Sequence, residues 1–143
     1  MIKVVLGFDE SKGAVSAAEY IKKLNVNNIL AVIVFPNSLK FPVTLNTFSG
    51  PKLFDSISEI MTEFKNILTN IYEDKHITLD LKEVYTSSSN PGIDIIKIAN
   101  EEHADLIVTG SRGLGKIGAL FLGSVSSYLT QNSNIPVLVI TSK

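Results

Sequence analysis

"ADLIVTGSRGLGKIGALFLGSVSSYLTQNSNIPVLVI", residues 104–140, opens and closes on apolar runs. Between them lie a glycine-rich segment and a polar stretch with helical spacing. Residues 104–110 are apolar almost throughout, as in a strand buried on both faces, and 136–141 repeat that character. Ser124 to about Asn132 reads as a helix between them. Two buried strands joined by a helical crossover make a parallel βαβ unit.

The same rhythm runs back through the chain. "IKVVLGF" (2–8) and "NILAVIVF" (28–35) are compact β-rich runs. Ser11 is placed to cap a helix carrying Ala14, Ala17, Ala18, Ile21 and Leu24 on one face. Leu53 to Tyr72 reads as a second amphipathic helix, and Asn90-Pro91 starts a third. "HITLDLKEVY" (76–85) alternates Ile77, Leu79 and Leu81 with Thr78, Asp80 and Lys82, the pattern of an edge strand. Residues 36–52 hold three prolines and no clear periodicity, and read as a long loop. Together these elements predict an α/β fold: a three-layer sandwich with a five-stranded parallel sheet in the order 3-2-1-4-5, in a single domain covering 1–143.

Composition narrows the function. The 143 residues are 45% hydrophobic with a net charge of −1, which disfavours nucleic acid or an anionic membrane as partner. There is no cysteine, so disulfides and thiolate metal sites are excluded. No apolar run reaches the roughly 18 residues of a membrane span, and the N-terminus does not read as an export signal. A cytoplasmic location is expected.

In that strand order the chain reverses between the first and fourth strands. Ligands of open parallel sheets bind beyond the carboxyl ends of the strands at such a reversal. Those ends are Gly7-Phe8-Asp9 and Thr109-Gly110. The glycine segment therefore begins where a ligand is expected.

Three patterns compete for it. From Gly110 it approaches a P-loop, but Ile117 stands where a metal-binding hydroxyl is required. From Gly113 it spells a dinucleotide fingerprint, but no acid occurs after Asp105 to hold a ribose. The third spacing is Gly110, two residues, Gly113, nine residues, Gly123-Ser124. Gly110 and Gly113 permit positive φ and close approach of the backbone to a ligand. Gly123-Ser124 opens a helix whose first N–H groups and dipole favour phosphate. Arg112, Lys116 and Lys143 are the only charged side chains from 106 onward.

Residues 104–140 resemble the C-terminal third of the universal stress protein family, whose ATP-binding signature is G-x2-G-x9-G-S. "KVVLGFDESKGAVSAAEYI" extends the resemblance to the N-terminus, and 36–100 follow in layout only. The resemblance implies that Gly7, Phe8 and Asp9 line the adenine and ribose pocket, that Val34 meets adenine through its backbone, and that Gly110, Gly113, Gly123 and Ser124 hold phosphate. Val125 and Ser126 continue that helix start, and Arg112 lies within the loop. It also implies ATP as ligand, a divalent cation such as Mg held mainly by the phosphates, and a homodimer through the last strand, 136–141. Where the family often reads Asp-Gly-Ser, this chain reads Asp9-Glu10-Ser11, which puts a negative charge beside the pocket. The implied function is an ATP-binding stress-response or signalling module with slow hydrolysis at most. The alternative is a dimeric interaction protein with a vestigial pocket. No catalytic residue and no dedicated metal ligand is assigned.

Overall fold

The computed structural model describes residues 2–111 and 123–141. Five parallel strands form the main sheet: β1 (Ile2–Gly7), β2 (Val26–Pro36), β5 (Thr78–Thr86), β6 (Leu106–Gly110) and β7 (Val137–Ile140). Their order is β5-β2-β1-β6-β7. A separate two-stranded hairpin, β3 (Val43–Thr47) with β4 (Gly50–Phe54), takes the intervening numbers. The expected order 3-2-1-4-5 therefore does not carry over as numbered.

Strand alternation divides the core in two. Val4, Leu6, Ile29, Ala31 and Val108 face one side of the sheet, where helices α1 (Lys12–Ile21) and α2 (Ile57–Ile71) cover them. Val5, Leu30, Val32 and Ile107 face the other, under α3 (Pro91–Glu101) and α4 (Ser124–Asn132). Ala14, Ala17 and Ala18 are small enough to let α1 lie close on the sheet. Phe64 and Leu68 of α2 fill the volume beyond. The Tyr72 hydroxyl donates to the Ala18 carbonyl at 2.8 Å, fixing the end of α2 against α1.

The expected loop over 36–52 is corrected. Val43–Thr47 and Gly50–Phe54 pair antiparallel around a two-residue turn, Phe48-Ser49, with Gly50 at φ 106. Leu53 belongs to β4 and is exposed, so the second helix starts at Ile57 and not at Leu53. Ser56 caps it, accepting from the Glu59 N–H at 3.2 Å, while the Glu59 carboxylate accepts from the Asp55 N–H at 3.0 Å.

Candidate functional site

In a parallel sheet every crossover helix starts at the carboxyl ends of the strands. The first turns of α1, α3 and α4 thus converge on one end of the molecule. A cleft of about 580 Å³, counting its open mouth, lies there between the ends of β1 and β6. It brings together Gly7, Phe8, Asp9, Val34, Gly110, Gly123, Ser124, Val125 and Ser126 from four separate stretches of sequence. Arg112 and Gly113 lie outside the described residues.

One wall is apolar, built from Val32, Val34, Pro91 and Ile95. β2 is longer than β1: their pairing ends at Gly7 opposite Val32, and the Phe8 N–H donates to the Val32 carbonyl at 3.1 Å. Main-chain groups alternate sides along a strand, so those of Val34 point the same way as those of Val32, into the gap where β1 has ended. The Phe8 ring turns into the core and meets Phe64 edge to face at 5.3 Å.

The opposite end is polar. Gly123 is the N-cap of α4 and supplies no side-chain cap, so the first N–H groups of the helix are left for other partners. Gly123 has φ −66 and ψ 165, an extended backbone open to any residue. The Ser126 hydroxyl is buried and donates to the Ser111 carbonyl at 2.9 Å, with the Gly123 carbonyl at 3.1 Å. It serves the fold, whereas the Ser124 side chain is exposed at the helix start. Asn90 ties two helix starts together: its Oδ1 accepts from the Gly92 N–H at 2.8 Å, and its Nδ2 donates to the Ser124 carbonyl at 3.0 Å.

Gly110 lines the cleft, and its missing side chain has a second reason in packing. A β-carbon on it would stand 2.4 Å from the carbonyl carbon of Gly13. Its missing side chain lets β6 meet α1, and it does not have positive φ. Asp9 Oδ1 accepts from the Ser11 N–H at 3.1 Å, and Ser11 Oγ accepts from the Ala14 N–H at 3.2 Å, so Ser11 is the cap of α1. Asp9 is the only ionisable residue among the described ones lining the cleft.

The family model described as the Universal stress protein family matches residues 1–141. The chain belongs to the universal stress protein family. Universal stress protein YxiE of Bacillus subtilis is 30% identical over 148 residues, covering 98% of this chain and 97% of that protein. Universal stress protein MJ0577 of Methanocaldococcus jannaschii is 34% identical over 96 residues, or 62% of this chain and 59% of the relative's length. The solved structure of MJ0577 superposes with a TM-score of 0.71 at 25% identity, covering 99% and 96% of the two chains. Two more distant structures share the fold. One is a universal stress protein solved in complex with cAMP, with TM-score 0.68, 18% identity and coverage of 99% and 98%. The other is a family protein from Arabidopsis thaliana with AMP bound, with TM-score 0.67, 17% identity and coverage of 100% and 93%.

Against the family's frequent Asp-Gly-Ser, the Glu10 of this universal stress protein has an unexpected place. It does not line the cleft: its side chain is fully buried. Its φ of 62 is left-handed, a conformation natural to glycine and costing another residue about 1–3 kcal/mol. No group of three or more His, Cys, Asp or Glu among the described residues is placed to hold a metal ion. The sequence reading also passed over Ser11, Ala14, Val32, Pro91, Ile95 and Thr109 as lining residues. The available signal was Asn90-Pro91, since a helix start after a parallel strand must lie at the ligand end of the sheet.

Proposed function

We propose that the cleft binds an adenine nucleotide, with ATP the full-length ligand, and that the chain works as a nucleotide-dependent stress-response or signalling module. The observation that carries this reading is the pairing of an apolar slot with an uncapped helix start across one cleft. A flat, uncharged base fits against Val32, Val34 and Ile95, and its polar edge meets the main chain of Val34. The Asp9 carboxylate suits the ribose hydroxyls. Phosphates fall at the N-terminus of α4, where the dipole and N–H groups of Ser124 to Ser126 favour anions. That relatives of the same fold were solved with cAMP and AMP supports the ligand class.

The described lining forms no metal cage, so a divalent cation such as Mg would be held mainly by the phosphates. It would neutralise charge between them. The chain's own residues bind and orient the ligand. Among the described lining residues Asp9 is the one ionisable side chain, and there is no lysine, arginine or histidine to act on the phosphates. Turnover is therefore slow, far below the roughly 10 per second typical of enzymes.

The test is direct: purified protein is denatured, its supernatant is analysed for adenine nucleotides, and the emptied protein is titrated with ATP. Binding no tighter than millimolar, with no co-purified nucleotide, would favour the vestigial-pocket alternative.

A further inference from the structure

The short segment 9–11 faces two environments. Asp9 and Ser11 line the cleft, while Glu10 between them is buried under the β3–β4 hairpin. The Phe48 N–H, at the hairpin turn, donates to the Glu10 carbonyl at 2.9 Å. Three groups face the Glu10 carboxylate: Thr47 from β3, Lys52 from β4 and Glu63 from α2. Lys52 Nζ bonds Glu63 Oε2 at 2.8 Å but stands 3.5 Å from Glu10 Oε2. Among the described residues neither Glu10 oxygen has a hydrogen bond of good geometry: Lys52 stays at ion-pair distance, and the Thr47 hydroxyl is the other donor that faces it.

One lysine thus faces two carboxylates, and one of the two is wholly out of water. An ionised carboxylate is disfavoured when it is buried and its one cation is bonded more closely to a second carboxylate. The neutral acid resolves the conflict. Its O–H donates to Glu63, and Lys52 is left balancing a single charge.

We propose that Glu10 is a proton-operated latch: as the neutral acid it holds the β3–β4 hairpin on the segment that lines the cleft, and on ionising it repels Glu63 and releases the hairpin. The latch does not depend on what the cleft binds. It reaches the cleft because Asp9 and Ser11 are the immediate chain neighbours of Glu10.

Burial pushes the Glu10 carboxyl up to about 7, aided by the neighbouring Glu63 carboxylate and opposed by Lys52 and the Thr47 hydroxyl. Glu63 is held below its ordinary value, chiefly by the Glu10 hydrogen bond, and stays ionised at neutral pH. Glu10 has a higher pKa with the hairpin closed than open. Closure is therefore fully supported below about 4.5 and loses that support as pH rises through 7.

With those two values the open fraction rises about tenfold from pH 6 to pH 8. The test uses the whole protein with 13C-labelled glutamate. The Glu10 carboxyl should titrate near 7, and the protection of the Phe48 amide, corrected for the intrinsic exchange rate, should fall about tenfold between pH 6 and 8. Glu10→Gln, which donates to Glu63 but cannot ionise, should keep its pH 6 protection at pH 8. Glu63→Gln leaves Lys52 to Glu10 and should bring the Glu10 midpoint down. A wild-type midpoint near 4.5, or the same loss of protection in Glu10→Gln, would overturn the latch.

Discussion

Gly110 and Gly13 meet backbone to backbone, so closely that a β-carbon on Gly110 would stand 2.4 Å from the Gly13 carbonyl carbon and 2.8 Å from the Ala14 nitrogen. Neither atom can move without shifting the start of α1. Gly110→Ala should therefore lower Tm by about 5–10 °C, the effect of overpacking a rigid contact. Gly7→Ala should cost less, because its nearest neighbour at 3.1 Å is the terminal methyl of Ile95, which can rotate away. Thermal unfolding of both variants checks the ranking.

The two serines at the start of α4 should separate stability from binding. Ser126→Ala removes a buried hydrogen bond to the Ser111 carbonyl and should cost about 1 kcal/mol of stability. Ser124 is exposed, so Ser124→Ala should leave stability within about 0.5 kcal/mol. It should weaken ATP binding by roughly 1.5–3 kcal/mol, the worth of a hydrogen bond to a charged group. Denaturant unfolding and calorimetric titration of both proteins measure the two effects.

Much of this site could be read in the sequence, for a physical reason. The strands at 2–8, 28–35 and 104–110 are buried on both faces, and no polar alternation interrupts them, so their interior place is written in composition. Alternation at 76–85 likewise belongs to β5 at the sheet edge. The hairpin was not legible because each strand has only five residues, and Pro51 and Lys52 break the apolar pattern. It is held by Phe54, Val43 and Leu45 packing on the core and by the Lys52 and Phe48 contacts to other elements, which no local pattern encodes. The reason for Gly110 was hidden similarly: its partner, Gly13, is 97 positions away (110 − 13).

The competing readings of the glycine segment assign different residues to phosphate. Gly123 has an extended backbone that valine can adopt, so Gly123→Val should fold normally. Its side chain would cover the N–H groups at the helix start, and ATP binding should be lost. Lys116→Ala should keep binding within about tenfold, or roughly 1.4 kcal/mol. ATP titration decides the matter: a dispensable Gly123 with an essential Lys116 would restore the P-loop reading.

β7 lies at the edge of the sheet, and Val137, Leu138, Val139 and Ile140 all remain partly exposed. An apolar edge with open main-chain groups favours pairing with a second copy. Light scattering at micromolar concentration should return twice the 15.6 kDa chain mass. Val139→Lys, which places charge on that edge, should return a monomer.

The Ser111 carbonyl accepts from both the Gly123 N–H and the Ser126 hydroxyl. Positions 111 and 123 are thus clasped together by atoms that all belong to the scaffold. Ser111 directly follows β6 and Gly123 directly precedes α4, so the clasp works as a rivet: it sets the start of α4 against the end of that strand, and the open N–H groups of the helix are aimed by the scaffold itself.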